Sequence, residues 1–283
     1  PERALDAIRR ADLHALRAIG DPEEILSDSI RSMIEAPAGR IITSPDLSAI
    51  EARGVFWISG CEKAVQAYRN GEDLYCQLAS TMYGFPVDKK QHPEERQKGK
   101  VGILQCGYGS GATKLAAQNG LDDETAALIV QTYRGDYYQV PRTWYALQDA
   151  AIDAVQNPGN TYTACHDRVA FVFEGGWLRI MRPSGKWMYL PEAGVDDDGR
   201  LFYHTWTKWG WQMESIWGGV LINFVVQGFC RDLMYHAEMQ MAARPEFELF
   251  LQCYDSLSAL VDRDRGEELC AVMIDVLTTP PAW

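Results

Sequence analysis

No two cysteines in this chain are spaced as C-x-x-C, and the seven present (Cys61, Cys76, Cys106, Cys165, Cys230, Cys253 and Cys270) form an odd set. Neither a disulfide framework nor a thiolate zinc site follows from such a set, and a reducing compartment is the expectation. Histidine is scarce, five in 283 residues. His14, His92, His204 and His236 have neither metal-ligand spacing nor a paired nucleophile, and no serine-hydrolase or cysteine-protease signature occurs. The sequence opens Pro1-Glu2-Arg3 without an apolar leader and has no run of about 18 uncharged apolar residues. Neither secretion nor a membrane span is therefore expected, and Pro1 suggests an excised piece. Positive charge is in deficit: 27 Lys and Arg face 39 Asp and Glu, a net of −12. A phosphate-backbone binder ordinarily carries a basic stripe, so bulk charge argues against tight nucleic-acid binding by this chain alone. Steering still depends on where the charges sit.

Hydrophobic residues make up 47% of the chain and charged residues 23%, the composition of a folded unit with one or two cores. Residues 1–35 have helical spacing, with Asp21-Pro22-Glu23-Glu24 as a cap and first turn. Pro37-Ala38-Gly39 breaks that pattern. A short buried strand over 40–44 then delivers Asp46, and 50–59 returns to helix. From 60 to 159 the text is helical, with segments at 62–69, 74–82, 94–106, 123–138 and 144–155. Strands follow at 170–173, 177–180 and 187–190, the last two joined by the turn Pro183-Ser184-Gly185-Lys186. Asp196-Asp197-Asp198-Gly199 is a solvated turn, since the later oxygen ligands of a calcium loop are missing. A helix over 220–241 carries Asn223, Gln227, Arg231 and Asp232, strands at 247–254 and 257–261 enclose Asp255, and a helix at 267–277 closes the pattern.

Asp46 and Asp255 each sit where a short strand empties into a turn. Two such carboxylates suffice for a magnesium site whose other positions are filled by waters and phosphates, although aspartate also caps turns. Arg96, Lys100, Leu104 and Tyr108 recur every four residues, which keeps both cations on one helix face. A triphosphate along that face would meet a guanidinium fork and then an ammonium; a solvated face salted against Glu94 and Glu95 is the alternative. Residues 106–111, Cys-Gly-Tyr-Gly-Ser-Gly, follow a helix instead of a strand and match neither dinucleotide nor P-loop fingerprints. His166-Asp167 has the look of a nuclease dyad but reads first as a surface turn.

Three ordered pieces carry a family resemblance. They are 46–53, Asp-Leu-Ser-Ala-Ile-Glu-Ala-Arg; Arg96-x-x-x-Lys100-x-x-x-Leu104-x-x-x-Tyr108-Gly109; and Cys253-Tyr254-Asp255-Ser256 after Asn223-x-x-x-Gln227. Together they resemble motifs A, B and C of family A DNA polymerases, most nearly the phage-encoded members. Supporting text includes 29–34, Asp73-Leu74-Tyr75-Cys76, Pro183-Ser184-Gly185-Lys186, Arg231-Asp232 and Pro281-Ala282-Trp283.

The resemblance implies an α+β fold: a polymerase palm with a small antiparallel sheet and a large helical fingers subdomain, with thumb and exonuclease absent. Its divisions would be palm over 1–60, fingers and following β elements over 61–215, and palm again over 216–283. It also implies template-directed DNA synthesis with two Mg2+ ions, Mn2+ as a substitute. Asp46, Asp255 and the Leu47 carbonyl match the metal ligands. Lys100 matches the acid that protonates pyrophosphate and, with Arg96, the triphosphate grip. Glu51 matches the steric gate at the ribose 2′ position, and Leu104 and Tyr108 match residues beside the nucleotide and the templating base. Asn223 and Gln227, with Tyr108, match DNA contacts. The implied partners are primer-template DNA, deoxynucleoside triphosphates and a processivity factor, with no membrane, and the implied location is the cytoplasm of an infected host.

Departures from the family pattern are Leu104 where Phe or Tyr is usual, Tyr254 and Ser256 in place of His and Glu, Gly219 where arginine is frequent, and Ile222 where phage members often have glutamate. The alternatives are a catalytically weakened primer-template binder and a metal-dependent nuclease using Asp46, Asp255 and His166.

Overall fold

The computed structural model describes residues 2–283; Pro1, read above as the mark of an excised piece, lies outside the described residues, as does the side chain of Arg31. The helices are α1 (Glu2–Arg9), α2 (Leu13–Ile19), α3 (Pro22–Ser29), α4 (Ile50–Ile58), α5 (Glu62–Arg69), α6 (Leu74–Tyr83), α7 (Pro93–Gln105), α8 (Ala112–Asn119), α9 (Asp123–Asp136), α10 (Gln139–Gln156), α11 (Gly218–Ala242) and α12 (Gly266–Thr278). The strands are β1 (Arg40–Thr43), β2 (Thr161–Ala164), β3 (Val169–Glu174), β4 (Trp177–Met181), β5 (Trp187–Pro191), β6 (Gly194–Val195), β7 (Leu201–Thr207), β8 (Gly210–Ser215), β9 (Glu248–Cys253) and β10 (Ser256–Asp262). The molecule is therefore α+β, and its three small sheets are antiparallel throughout. No described helix is long and apolar enough to cross a membrane.

The chain divides into two units. The first holds residues up to Asp46 together with Ala237–Thr279. Its sheet has the order β1-β10-β9, with Arg40 opposite Asp262 and Thr43 opposite Ala259, and a bulge at Ser258/Ala259. Helix α12 packs on β1 and β10, so that Leu269, Met273 and Val276 are buried, as are Leu257, Ala259 and Val261. The N-terminal helical text divides into three helices, the cap expected at Asp21 opening the third. Asp12 caps α2 by accepting from the Ala15 amide at 2.9 Å, and Asp21 caps α3 by accepting from Glu23 at 2.8 Å. Each such cap satisfies amides that a continuing helix would have bonded internally.

The second unit holds Leu47–His236 and the last four residues. Helices α4 to α10 enclose a core containing Phe56, Leu78, Tyr133, Tyr137 and Trp144. Helix α10 also packs on β2 and β3 of the sheet β2-β3-β4-β5, and β6-β7-β8 forms the third sheet. Helices α6 and α7 lie unusually close: a Cβ on Gly99 would fall 2.1 Å from the Tyr75 carbonyl oxygen, and one on Gly102 would fall 2.6 Å from Leu78 Cδ2. Glycine at those two positions is what lets the backbones meet. Helix α8 and strands β2, β6, β7 and β8 had no counterpart in the sequence reading.

Candidate active site

In the first unit, β1 runs out through Ser44 and Pro45 to Asp46, which forms an isolated antiparallel bridge with Ser256. The Leu257 amide donates to the Pro45 carbonyl at 3.3 Å, and the Ser44 and Ser258 hydroxyls meet at 2.7 Å. These contacts extend the pairing of β1 and β10 past the formal end of β1. The β9–β10 hairpin pairs Cys253 with Ser256 across a two-residue connection, Tyr254-Asp255. The ladder thus sets Asp46 opposite the residue next to Asp255. Asp46 is exposed and Asp255 half-buried. Tyr254 takes a left-handed conformation, φ 52°, with its side chain in solvent at 92% exposure. Ser256 turns its hydroxyl back to the Cys253 carbonyl at 2.9 Å and is buried.

Among the described residues no group of three or more His, Cys, Asp and Glu could hold a metal ion. The donors at the strand ends are two carboxylates, hard oxygen ligands, with the Leu47 carbonyl following Asp46 in the chain. That set fits magnesium, which binds through one or two carboxylates and fills its octahedron with water and substrate phosphate; it would not suit a soft metal.

In the second unit, Ala49 adopts the left-handed conformation, φ 54°, and α4 begins after it. That turn puts Glu51 in the first helical turn, where the Tyr108 hydroxyl donates to its Oε2 at 2.6 Å. The Tyr108 phenol is pushed far up, first by burial and then by the hydrogen bond and charge of Glu51. The next turn of α4 carries Arg53, whose Nε donates to the Ser48 carbonyl at 2.9 Å and whose guanidinium stacks 4.2 Å from the Tyr68 ring centre.

Arg96 on α7 donates from Nε to Asp73 Oδ2 at 2.8 Å, and its guanidinium lies 5.1 Å from the centre of the Tyr75 ring. The expected alternative partners, Glu94 and Glu95, do not take it. Asp73 caps α6 with its other oxygen, accepting from the Cys76 amide at 3.1 Å. Burial opposes ionisation of Asp73, yet the Arg96 and amide hydrogen bonds outweigh it and hold the carboxyl below its ordinary value. Lys100 lies one turn beyond Arg96, half-buried and without an ion pair among the described residues. Leu104 is exposed, and Tyr108 follows in a short 3-10 turn. Ser48, Ala49, Arg53, Tyr68, Asp73, Tyr75, Lys89 and Arg96 line a cleft of about 250 Å³ within this unit. Asn223, half-buried, and Gln227, exposed, lie one turn apart on α11.

His166-Asp167 is built as a turn: Cys165, His166 and Asp167 are all left-handed, and Asp167 accepts from the Thr163 hydroxyl at 2.6 Å. Two ionic contacts are not legible in the sequence, although all their residues except Arg182 stand in the motifs quoted above. One is Asp73 with Arg96. The other is Asp232, buried on α11, which accepts from Arg182 Nε at 2.8 Å and Nη2 at 3.2 Å and from Ser184 Oγ at 2.5 Å, with Lys186 Nζ at 3.3 Å.

The profile of DNA polymerase family A matches residues 18–282, nearly the whole chain. The chain belongs to DNA polymerase family A. Among its relatives, the DNA polymerase of Bacillus phage SP02 is 26% identical over 271 residues, 92% of this chain and 41% of that protein. The thermostable DNA polymerase I of Thermus aquaticus is 28% identical over 257 residues, 89% of this chain and 26% of that one. The chain thus spans about two-fifths of the phage relative and about a quarter of the bacterial one. A solved structure of the POL domain of Pol1 from M. smegmatis, in complex with DNA primer-template and dNTP, superposes with a TM-score of 0.60 at 20% identity, covering 88% of this chain and 38% of that one. At that identity the match shows a shared polymerase-domain fold.

Proposed function

We propose that this chain carries the nucleotidyl-transfer site of a family A DNA polymerase, adding deoxynucleotides to a primer 3′-hydroxyl with release of pyrophosphate. The observation that carries the reading is the ladder joining Asp46 to Ser256 beside Asp255, two carboxylates brought from distant sequence to adjacent strand ends. In this reading residues 1–60 and 216–283 form the palm and 61–215 the fingers with the β elements that follow them. Asp46, Asp255 and the Leu47 carbonyl would hold the two magnesium ions. When bound, the ions supply Lewis-acid charge that lowers the hydroxyl pKa and neutralises the phosphates.

The residues of the chain do the rest. Arg96 grips the triphosphate as a fork and Lys100 as a point charge. Lys100 gives its proton to the departing pyrophosphate oxygen as the bond to the α-phosphorus breaks. Glu51, its carboxylate fixed by the Tyr108 hydroxyl, crowds the 2′ position of the sugar. Leu104 packs beside the nucleotide, Tyr108 lies near the templating base, and Asn223 and Gln227 contact primer-template DNA.

A second reading, binding of primer-template without efficient extension, is favoured by Ser256: its hydroxyl is spent on the Cys253 carbonyl and provides no carboxylate. The nuclease reading gains nothing from His166, which belongs to a turn. Primer extension by the chain and by Asp255→Asn separates them. The transfer reading expects elongated primer and a loss of about 10²-fold or more in the variant, the several kcal/mol of charge stabilisation a metal ligand commands. Equal extension by the variant would overturn it, and binding with no added nucleotide by either protein would leave the second reading.

A further inference from the structure

The third sheet leaves its largest rings in solvent. Strand register puts Trp206 opposite Trp211 and His204 opposite Met213 on one face of the β7–β8 hairpin, and Tyr203 opposite Glu214 and Thr205 opposite Gln212 on the other. Tyr203 meets Phe224 edge-on at 6.1 Å, so its ring is turned to the body of its unit, while Gln212 and Glu214 across from it on β8 are exposed. The other face carries tryptophan into solvent. Trp206 and, at the tip, Trp209 are each 75% exposed, and Trp211 and Met213 are exposed beside them. Burial of such a side chain ordinarily stabilises a protein, and a cluster left outside marks a binding surface.

The charges around this face are arranged with equal clarity. Lys208 shares the tip with Trp209, its ammonium 5.1 Å from the ring centre. Glu214 projects from the opposite face. The acidic turn at Asp196–Asp198 lies beyond the far end of β7, about 20 Å along the strand from the tip at ~3.3 Å per residue. Glu192 borders the aromatic row, 3.4 Å from both Trp211 Nε1 and His204 Nδ1.

Open indole faces beside an ammonium are suited to a strand of unpaired nucleotides. Each base presents a π-face whatever its identity, and the phosphates need cations. We infer that the β7–β8 hairpin binds single-stranded DNA by stacking bases on Trp206 and Trp209, with Lys208 meeting the backbone. The occupant is the unpaired template ahead of the primed duplex, and this inference rests on the polymerase reading above for the source of that strand.

The test measures fluorescence anisotropy of a labelled oligothymidine of about 16 nucleotides, and of a blunt duplex of the same length, titrated with the 283-residue chain at low salt. Stacking contributes a factor of about five or more per base, so Trp206→Ser/Trp209→Ser is expected to bind the single strand at least about tenfold more weakly. Duplex binding stays unchanged, and Trp206→Phe/Trp209→Phe, which retains flat rings, largely restores the single-strand affinity. Lys208→Ala lowers the slope of log affinity against log salt.

Wild-type affinity of the serine variant for the single strand overturns the inference and leaves the face to a protein partner. An equal loss on duplex, or no binding of oligothymidine by the unaltered chain, overturns it as well. No primer, nucleotide or metal is present in this assay, so its outcome is independent of whether Asp46 and Asp255 support extension.

Discussion

Replacing Asp232 by asparagine should break a deeply buried ionic contact of the second unit while keeping the shape of the side chain. The Asp232 side chain is 5% exposed and that of Arg182 12%, and the two share a double hydrogen bond that Ser184 and Lys186 complete. An asparagine would leave the Arg182 cation in place without its counter-charge. Breaking a buried pair from one side costs about 3–5 kcal/mol, because the stranded charge remains desolvated. For a unit of this size about 2–4 °C of melting temperature accompanies each kcal/mol, so a fall of roughly 10 °C is expected at neutral pH.

The pH dependence adds a second, sharper expectation. Burial works against ionisation of Asp232, but the Arg182 and Ser184 hydrogen bonds outweigh it and hold the carboxyl below its ordinary value of 3.8. A carboxyl lowered on folding contributes stability that is present above the unfolded value and is lost as pH falls through the folded one. The gap between wild type and Asp232→Asn should therefore be constant near neutrality and shrink below about pH 4. Thermal unfolding by near-ultraviolet circular dichroism across about pH 3 to 7 reads both. A variant within about 1 kcal/mol of wild type, or a gap unchanged at low pH, would refute the reasoning.

Two further substitutions test the candidate site. Gly99→Ala gains helix propensity of about 1 kcal/mol, but its Cβ meets the Tyr75 carbonyl. A net loss of about 1–3 kcal/mol in urea unfolding is expected, and a stabilised variant would mean that α6 and α7 separate freely. Glu51→Ala removes the carboxylate that holds the Tyr108 hydroxyl, so the ratio of ribonucleotide to deoxyribonucleotide incorporation should rise. The Tyr108 phenol should also titrate at lower pH, because an acceptor and a negative charge have gone. An unaltered incorporation ratio places the gate elsewhere.

The elements legible in sequence are those whose period is imposed by burial on one side. Helix α5 has the expected bounds, and α4, α6, α7 and α11 agree to within a residue or two. The β9–β10 hairpin was visible because apolar text flanks a polar connection, and the hydrophobic stretch at Arg40–Thr43 marked β1. Strands β7 and β8 were missed for a physical reason. Trp206, Trp211 and Met213 on one face are exposed, and so are Gln212 and Glu214 on the other, so the hairpin lacks the buried, apolar face that alternation is used to detect.

At the candidate site, four-residue spacing named Arg96 and the family resemblance named Glu51, but their partners follow from packing. Asp73 reaches Arg96 across 23 positions because Gly99 admits α6 to α7. The Tyr108–Glu51 hydrogen bond spans 57 positions and depends on the left-handed turn at Ala49, a conformation that alanine does not advertise.

The contact of Gly99 with the Tyr75 carbonyl also limits how the basic helix can move. A helix that turns about its own axis or slides along its neighbour needs a clearance that α6 does not leave at Gly99 and Gly102. Arg96 and Lys100 cannot then be re-aimed by rotating α7 alone. Any displacement of these cations on the microsecond-to-millisecond scale of element motions carries α6 with it as one lever, and with α6 travels Asp73. The ion pair of Asp73 with Arg96 therefore survives such a stroke, and the guanidinium changes partners by side-chain rotation, a faster event than the movement of the helices.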